Sequence, residues 1–191
     1  LHKDNEKINF FNVKQVLRLD RPGQFIWELI QNAEDAGATK IEIQLQAKNL
    51  VFRHNGIRDF TLFDAQSIAR IGSSNKNTKT DDNPKIGQFG VGFKSVFKYA
   101  GKTGKVEIHS GDLHFSIQNY SEIQNEIQAS HIINTKEFRT QFVISFADEL
   151  TTNNQAYSEI IGELEALDHR SIIFLNYMRT IDVIAPNKIM Q

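Results

Sequence analysis

One run of residues in this chain is suited to holding a phosphate chain, and a second offers a stripe of polar groups to act beside it. The first is Lys85-Ile86-Gly87-Gln88-Phe89-Gly90-Val91-Gly92-Phe93-Lys94-Ser95-Val96-Phe97. Gly87, Gly90 and Gly92 permit turns closed to other residues, and the apolar run after them reads as a helix whose unpaired N-terminal N–H groups face the loop. A loop of this kind binds anions, phosphates above all. The second run is Trp27-Glu28-Leu29-Ile30-Gln31-Asn32-Ala33-Glu34-Asp35-Ala36-Gly37. Asp20 and Pro22 mark a helix start ahead of it and Gly37 marks the stop. Glu28, Asn32 and Asp35 then fall at i, i+4 and i+7 and stack along one stripe, while Phe25, Leu29, Ala33 and Ala36 serve the side that packs.

Each run also has a plainer reading. Glycines ahead of a helix punctuate many loops, and a polar stripe is often just a solvated face. Solvated faces usually mix lysines with carboxylates, however, and no cation stands among Glu28, Asn32 and Asp35. Two familiar phosphate loops are excluded. Gly101-Lys102-Thr103 supplies the end of a Walker loop, but Val96 stands where its first glycine belongs. A dinucleotide fingerprint needs G-x-G-x-x-G after a strand, whereas the order here is G-x-x-G-x-G after a polar segment.

Taken together, E-x-x-x-N-A-x-D-A and I-G-Q-F-G-V-G-F resemble the nucleotide-binding domain of the GHKL superfamily, which includes gyrase-type topoisomerases, ninety-kilodalton heat-shock chaperones, sensor histidine kinases and MutL repair proteins. The resemblance covers residues 20–100 and extends to about residue 146. Three further segments, R-H-N-G, I-A-R-I-G-S-S-N-K and S-I-I-F-L-N, are similar to sacsin-like and related bacterial ATP-binding proteins. The fold implied is α+β, a two-layer α/β sandwich of the Bergerat type with a mostly antiparallel sheet covered by helices.

The resemblance implies roles for single residues. Glu28 is the expected general base, since a carboxylate on a rigid helix can orient and deprotonate the water that attacks a terminal phosphate. Asn32 is the expected magnesium ligand, because magnesium keeps most of its octahedron for water and phosphate oxygens. Asp35 is expected just behind it, or else meets solvent or Lys40. Gly87, Gln88, Phe89, Gly90, Val91, Gly92 and Phe93 would wrap the phosphates, and the polar segment 72–85 would be the lid that closes over bound nucleotide. Lys94 is either a phosphate contact or a surface lysine.

The base end departs from the family pattern D-x-G-x-G, for this chain has His54-Asn55-Gly56-Ile57-Arg58. His54 stands where a carboxylate accepts from the adenine amino group, and Arg58 replaces the second glycine. A neutral imidazole can accept that bond and a protonated one repels it, so base recognition by His54 is expected to weaken at low pH. Water or Asn55 could substitute. Thr140 matches a threonine that helps to hold the base, although it also suits the start of a strand.

Elements must position these groups. Ile41, Ile43 and Leu45 alternate as in a half-buried strand, and residues 50–52, 106–109, 113–117, 142–146, 172–175 and 181–184 read as further strands. Residues 61–70 and 157–167 read as helices, and Ser110-Gly111-Asp112 as a hairpin turn. With 191 residues, 40% of them apolar, the chain can build one core and forms one nucleotide-binding domain, 1–191, expected as the N-terminal piece of a longer protein. A net charge of −1 carries no electrostatic signal for nucleic acid, and zero cysteines exclude disulfides and thiolate metal sites. No apolar run approaches the ~18 residues of a membrane helix, so a cytoplasmic location is the default.

The function expected is binding of ATP or ADP with Mg2+ and slow hydrolysis. Nucleotide state would control the lid and a nucleotide-dependent homodimer within a chaperone-like or defence-like protein, with downstream domains of the same chain as partners. The alternative is a nucleotide-gated binding module without useful turnover, which His54 and Arg58 favour.

Overall fold

Strict apolar alternation builds the centre of a sheet: Ile41, Ile43 and Leu45 on one strand and Leu50, Phe52 and His54 on the next all point inward. The computed structural model describes residues 23–61, 64, 92–118, 122–124, 137–167, 175–186 and 188–190. Its strands are β1 (Lys40–Leu45), β2 (Asn49–His54), β3 (Lys105–Ser110), β4 (Leu113–Gln118), β5 (Glu122–Gln124), β6 (Thr140–Ser145), β7 (Thr180–Ala185) and β8 (Lys188–Met190). They form one sheet in the order β5-β4-β3-β6-β2-β1-β7-β8. The sheet is mostly antiparallel, with β1 and β7 its parallel pair. In register, Phe52 lies between Ile43 and Phe142, and His54 lies opposite Thr140.

Helix α1 (Gln24–Asp35) buries Phe25, Ile26, Leu29, Ile30 and Ala33 at helical spacing against this sheet. Burying such large apolar side chains stabilises the packing by roughly 1.5–3 kcal/mol each. The helix follows Gly23, at φ 73°, and ends as expected at Gly37, also at φ 73°. There Gly37 N–H donates to the Glu34 carbonyl and Ala38 N–H to that of Ala33, closing the last turn. Asp20 and Pro22 lie outside the described residues.

After the glycine-rich run the chain forms a 3-10 turn, Gly92–Val96, that becomes α-helical only over α2 (Phe97–Ala100). This differs from the single helix expected. Three residues per turn set Phe93 and Val96 above one another on the core side, and Gly101, at φ 57°, ends the helix. Helices α3 (Asp148–Thr151) and α4 (Gln155–Ala166) complete the helical layer. Among the described residues, no helix is long and apolar enough to cross a membrane.

The shortest elements, β5, β8 and α3, have no counterpart in the sequence expectations, because three or four residues carry no readable period. Of the helix expected over 61–70 only Asp64 is described as helical, yet the start is marked. Asp64 Oδ2 accepts from the Thr61 N–H at 2.8 Å, and the Asp64 N–H returns to Thr61 Oγ1 at 3.2 Å, a reciprocal cap. In the strand expected over 172–175, Leu175 is not in a strand and the other residues lie outside the described set.

Candidate functional site

The end of β2, the start of β6 and the last turns of α1 line a shallow open cleft whose walls include Asn32, His54 and Thr140. Three residues singled out on separate grounds are thus brought to one cavity. Phe142 forms its floor, backed by Phe93 with ring centroids 5.6 Å apart. Helix α1 also packs against the 3-10 turn Gly92–Val96, so the helix and the chain leaving the glycine-rich run are neighbours.

His54 is 4% exposed and stacks on Phe142 with an interplanar angle of 28°. Its Nδ1 accepts from the Gly56 N–H at 3.1 Å. Burial pushes the imidazole down to about 4, so the ring is neutral at ordinary pH. The acceptor nitrogen expected to meet a base amino group is therefore already engaged by the main chain.

Opposite it, Thr140 shares a hydrogen with Ser110 across 2.7 Å between hydroxyls, and Ser110 Oγ accepts from the Phe60 N–H at 2.9 Å. Asp59, also on the cleft wall, is clamped by the Arg139 guanidinium, and the contact holds its carboxyl below the usual range. The Arg139 N–H donates to the His54 carbonyl at 3.0 Å, which ties that clamp to the end of β2.

A family model described as histidine kinase-, DNA gyrase B- and HSP90-like ATPase matches residues 22–154. The chain belongs to this ATPase family. It is similar to sacsin of Homo sapiens, 36% identical over an alignment of 104 positions that covers 44% of this chain and 2% of sacsin. It is also similar to the chaperone protein HtpG of Pseudoalteromonas translucida (strain TAC 125), 28% identical over an alignment of 197 positions that covers 78% of this chain and 30% of HtpG. The chain thus spans less than a third of the length of either relative.

As a member of the ATPase family, the chain presents its expected site residues unevenly. Asn32 is half-buried and lines the cleft, where a carboxamide oxygen suits a hard cation that retains its other oxygens from water and phosphate. Glu28 lies half-buried one turn earlier on the same stripe but outside the cleft lining, and Asp35 is exposed. Lys40 pairs with Glu137 and Asp182 rather than with Asp35. Gly87, Gln88, Phe89, Gly90 and Val91, with the polar segment 72–85, lie outside the described residues. Gly92 opens the 3-10 turn. Phe93 is 2% exposed in the core, so any contact it makes with a ligand is through the main chain.

Asn55 Oδ1 accepts from the Thr39 and Lys40 N–H groups at 2.8 and 2.9 Å, and its Nδ2 donates to Thr39 Oγ1, so its amide secures the start of β1. Gly56 has a steric reason to be glycine. An added Cβ would lie 2.8 Å from Ala36 Cβ and 2.9 Å from His54 Nδ1, where the loop crosses the end of α1.

Two supporting residues carried no sequence signal. The buried Glu34 carboxylate accepts from the N–H groups of Asn176, Tyr177 and Met178, fastening the last turn of α1 to the chain entering β7. The Tyr99 hydroxyl accepts from the Gly23 N–H at 2.8 Å and donates to Glu159 at 3.0 Å, joining α2 to the start of α1. Burial raises the Tyr99 phenol well above its ordinary range.

Proposed function

We propose that this chain binds ATP in the cleft between α1 and the ends of β2 and β6, and hydrolyses it slowly with magnesium. The convergence of Asn32, His54 and Thr140 on one cavity beside the Gly92–Val96 turn carries the proposal. Asn32 would hold the metal, whose charge would offset that of the phosphates. The base would enter toward His54 and Thr140, over Phe142. The phosphates would meet main-chain N–H groups of Gly87, Gln88, Phe89, Gly90, Val91 and Gly92, a contact that reads charge and shape without side chains. Glu28, one turn from Asn32, would take the proton of the attacking water.

Nucleotide occupancy would control the segment 72–85 as a lid and the pairing of two copies within a longer chaperone-like protein. The position of Glu28 outside the cleft lining favours a second reading, a nucleotide-gated module with no useful turnover. Replacing Glu28 with Ala separates them. Hydrolysis requires a loss of turnover of about 10²–10⁴-fold with ATP affinity retained. An unchanged rate in Glu28→Ala overturns the catalytic role.

A further inference from the structure

We infer that His54 meets the base as a hydrogen-bond donor, so that the cleft takes 6-oxopurine nucleotides as well as adenine nucleotides, an inference that rests on the nucleotide-binding reading above. A main-chain N–H can only donate, so His54 Nδ1, 3.1 Å from that of Gly56, is the lone-pair nitrogen of the ring. A neutral imidazole so assigned carries its proton on Nε2. Among the described residues, the bond to Gly56 is the ring's hydrogen bond, and His54 lines the cleft.

The alternatives fail on sterics or on pairing. The other tautomer sets two donors against each other at Gly56. Turning the ring over puts a carbon against that N–H and leaves a buried donor unpaired. Burial between Phe52 and Phe142 disfavours the doubly protonated ring.

A donor at this point has definite consequences for the C6 edge of a purine. It opposes the amino group of adenine but engages the ring nitrogen N1 beside it, and it engages the C6 carbonyl of a 6-oxopurine equally well. A carboxylate in the same place would accept from the amino group and repel the carbonyl. The amino group is thus not read.

The opposite wall adapts to either edge. Ser110 Oγ accepts from the Phe60 N–H and shares one hydrogen with Thr140. If Ser110 donates, the Thr140 hydroxyl has a proton to offer; if Thr140 donates, its lone pair remains for the N1–H of a 6-oxopurine.

The test is calorimetric titration of the 191-residue chain with ATP, with ITP and with purine riboside triphosphate, which bears hydrogen at C6. The three affinities are expected to agree within about tenfold, and His54→Asp is expected to favour ATP over ITP by more than about tenfold. Wild-type preference for ATP beyond about tenfold over both analogues shows that the amino group is read and overturns the inference alone. An unchanged ATP-to-ITP ratio in a folded His54→Asp variant also overturns it. If that variant does not fold, the wild-type comparison decides by itself. Failure of all three nucleotides to bind overturns the nucleotide-binding reading together with this inference.

Discussion

Replacing Glu34 with Ala removes the one carboxylate that receives three main-chain N–H groups from the strand-entry segment at Asn176, Tyr177 and Met178. Hydrogen bonds to a charged acceptor contribute about 1.5–3 kcal/mol each where they are buried. The bond to Met178 is buried, whereas those to Asn176 and Tyr177 are partly buried and recover part of their loss from water. The expected cost is therefore about 3 kcal/mol rather than the sum of three full bonds. For a domain of this size that lowers the melting temperature by about 6–12 °C. Glu34→Gln keeps one carbonyl oxygen for Asn176 and Tyr177 but sets an NH2 group against the Met178 N–H, so about half the loss is expected. Gln31, exposed on the same helix, is the control, and Gln31→Ala should cost less than about 0.5 kcal/mol. Thermal melts followed by far-ultraviolet circular dichroism measure all three. A Glu34→Ala melt within about 3 °C of wild type would refute the view that this carboxylate fastens α1 to β7.

Three further outcomes are expected. Tyr99→Phe leaves the Gly23 N–H buried without its acceptor and should cost about 1–2 kcal/mol in urea denaturation. An unchanged midpoint would mean that Gly23 finds water instead. Gly56→Ala drives a methyl group into Ala36 and His54, so it should destabilise the fold by about 1–3 kcal/mol and weaken nucleotide binding in titration calorimetry. His54 is held neutral, its pKa lowered from 6.5 to about 4, so the unfolded chain binds a proton between those values that the native chain refuses. Its contribution to stability is intact above pH 6.5 and is lost as pH falls toward about 4, by at most about 3 kcal/mol. Denaturation midpoints at pH 7 and 4.5 should converge in His54→Gln relative to wild type. Equal pH slopes in the two proteins would contradict this.

Residue types and local spacing were enough to determine the two motifs, the α+β class and most of the strands. Ile41, Ile43 and Leu45 alternate because a strand has period two, and Gly37 ends α1 because its φ of 73° is costly for any residue with a Cβ. Such signals are local: the residues that carry them are close in sequence. The pairings that fasten the two ends of α1 are not. Met178 reaches Glu34 across 144 positions and Gly23 reaches Tyr99 across 76, so no window of sequence could show either bond. Local sequence placed Asn55 and His54 side by side at the end of β2, but tertiary structure turned Asn55 to the start of β1 and His54 to the cleft. His54 shows the same division at the level of one atom. Its place at the end of β2 followed from the sequence, but which ring nitrogen faces a donor was decided by the turn of the chain that brings the Gly56 N–H against Nδ1.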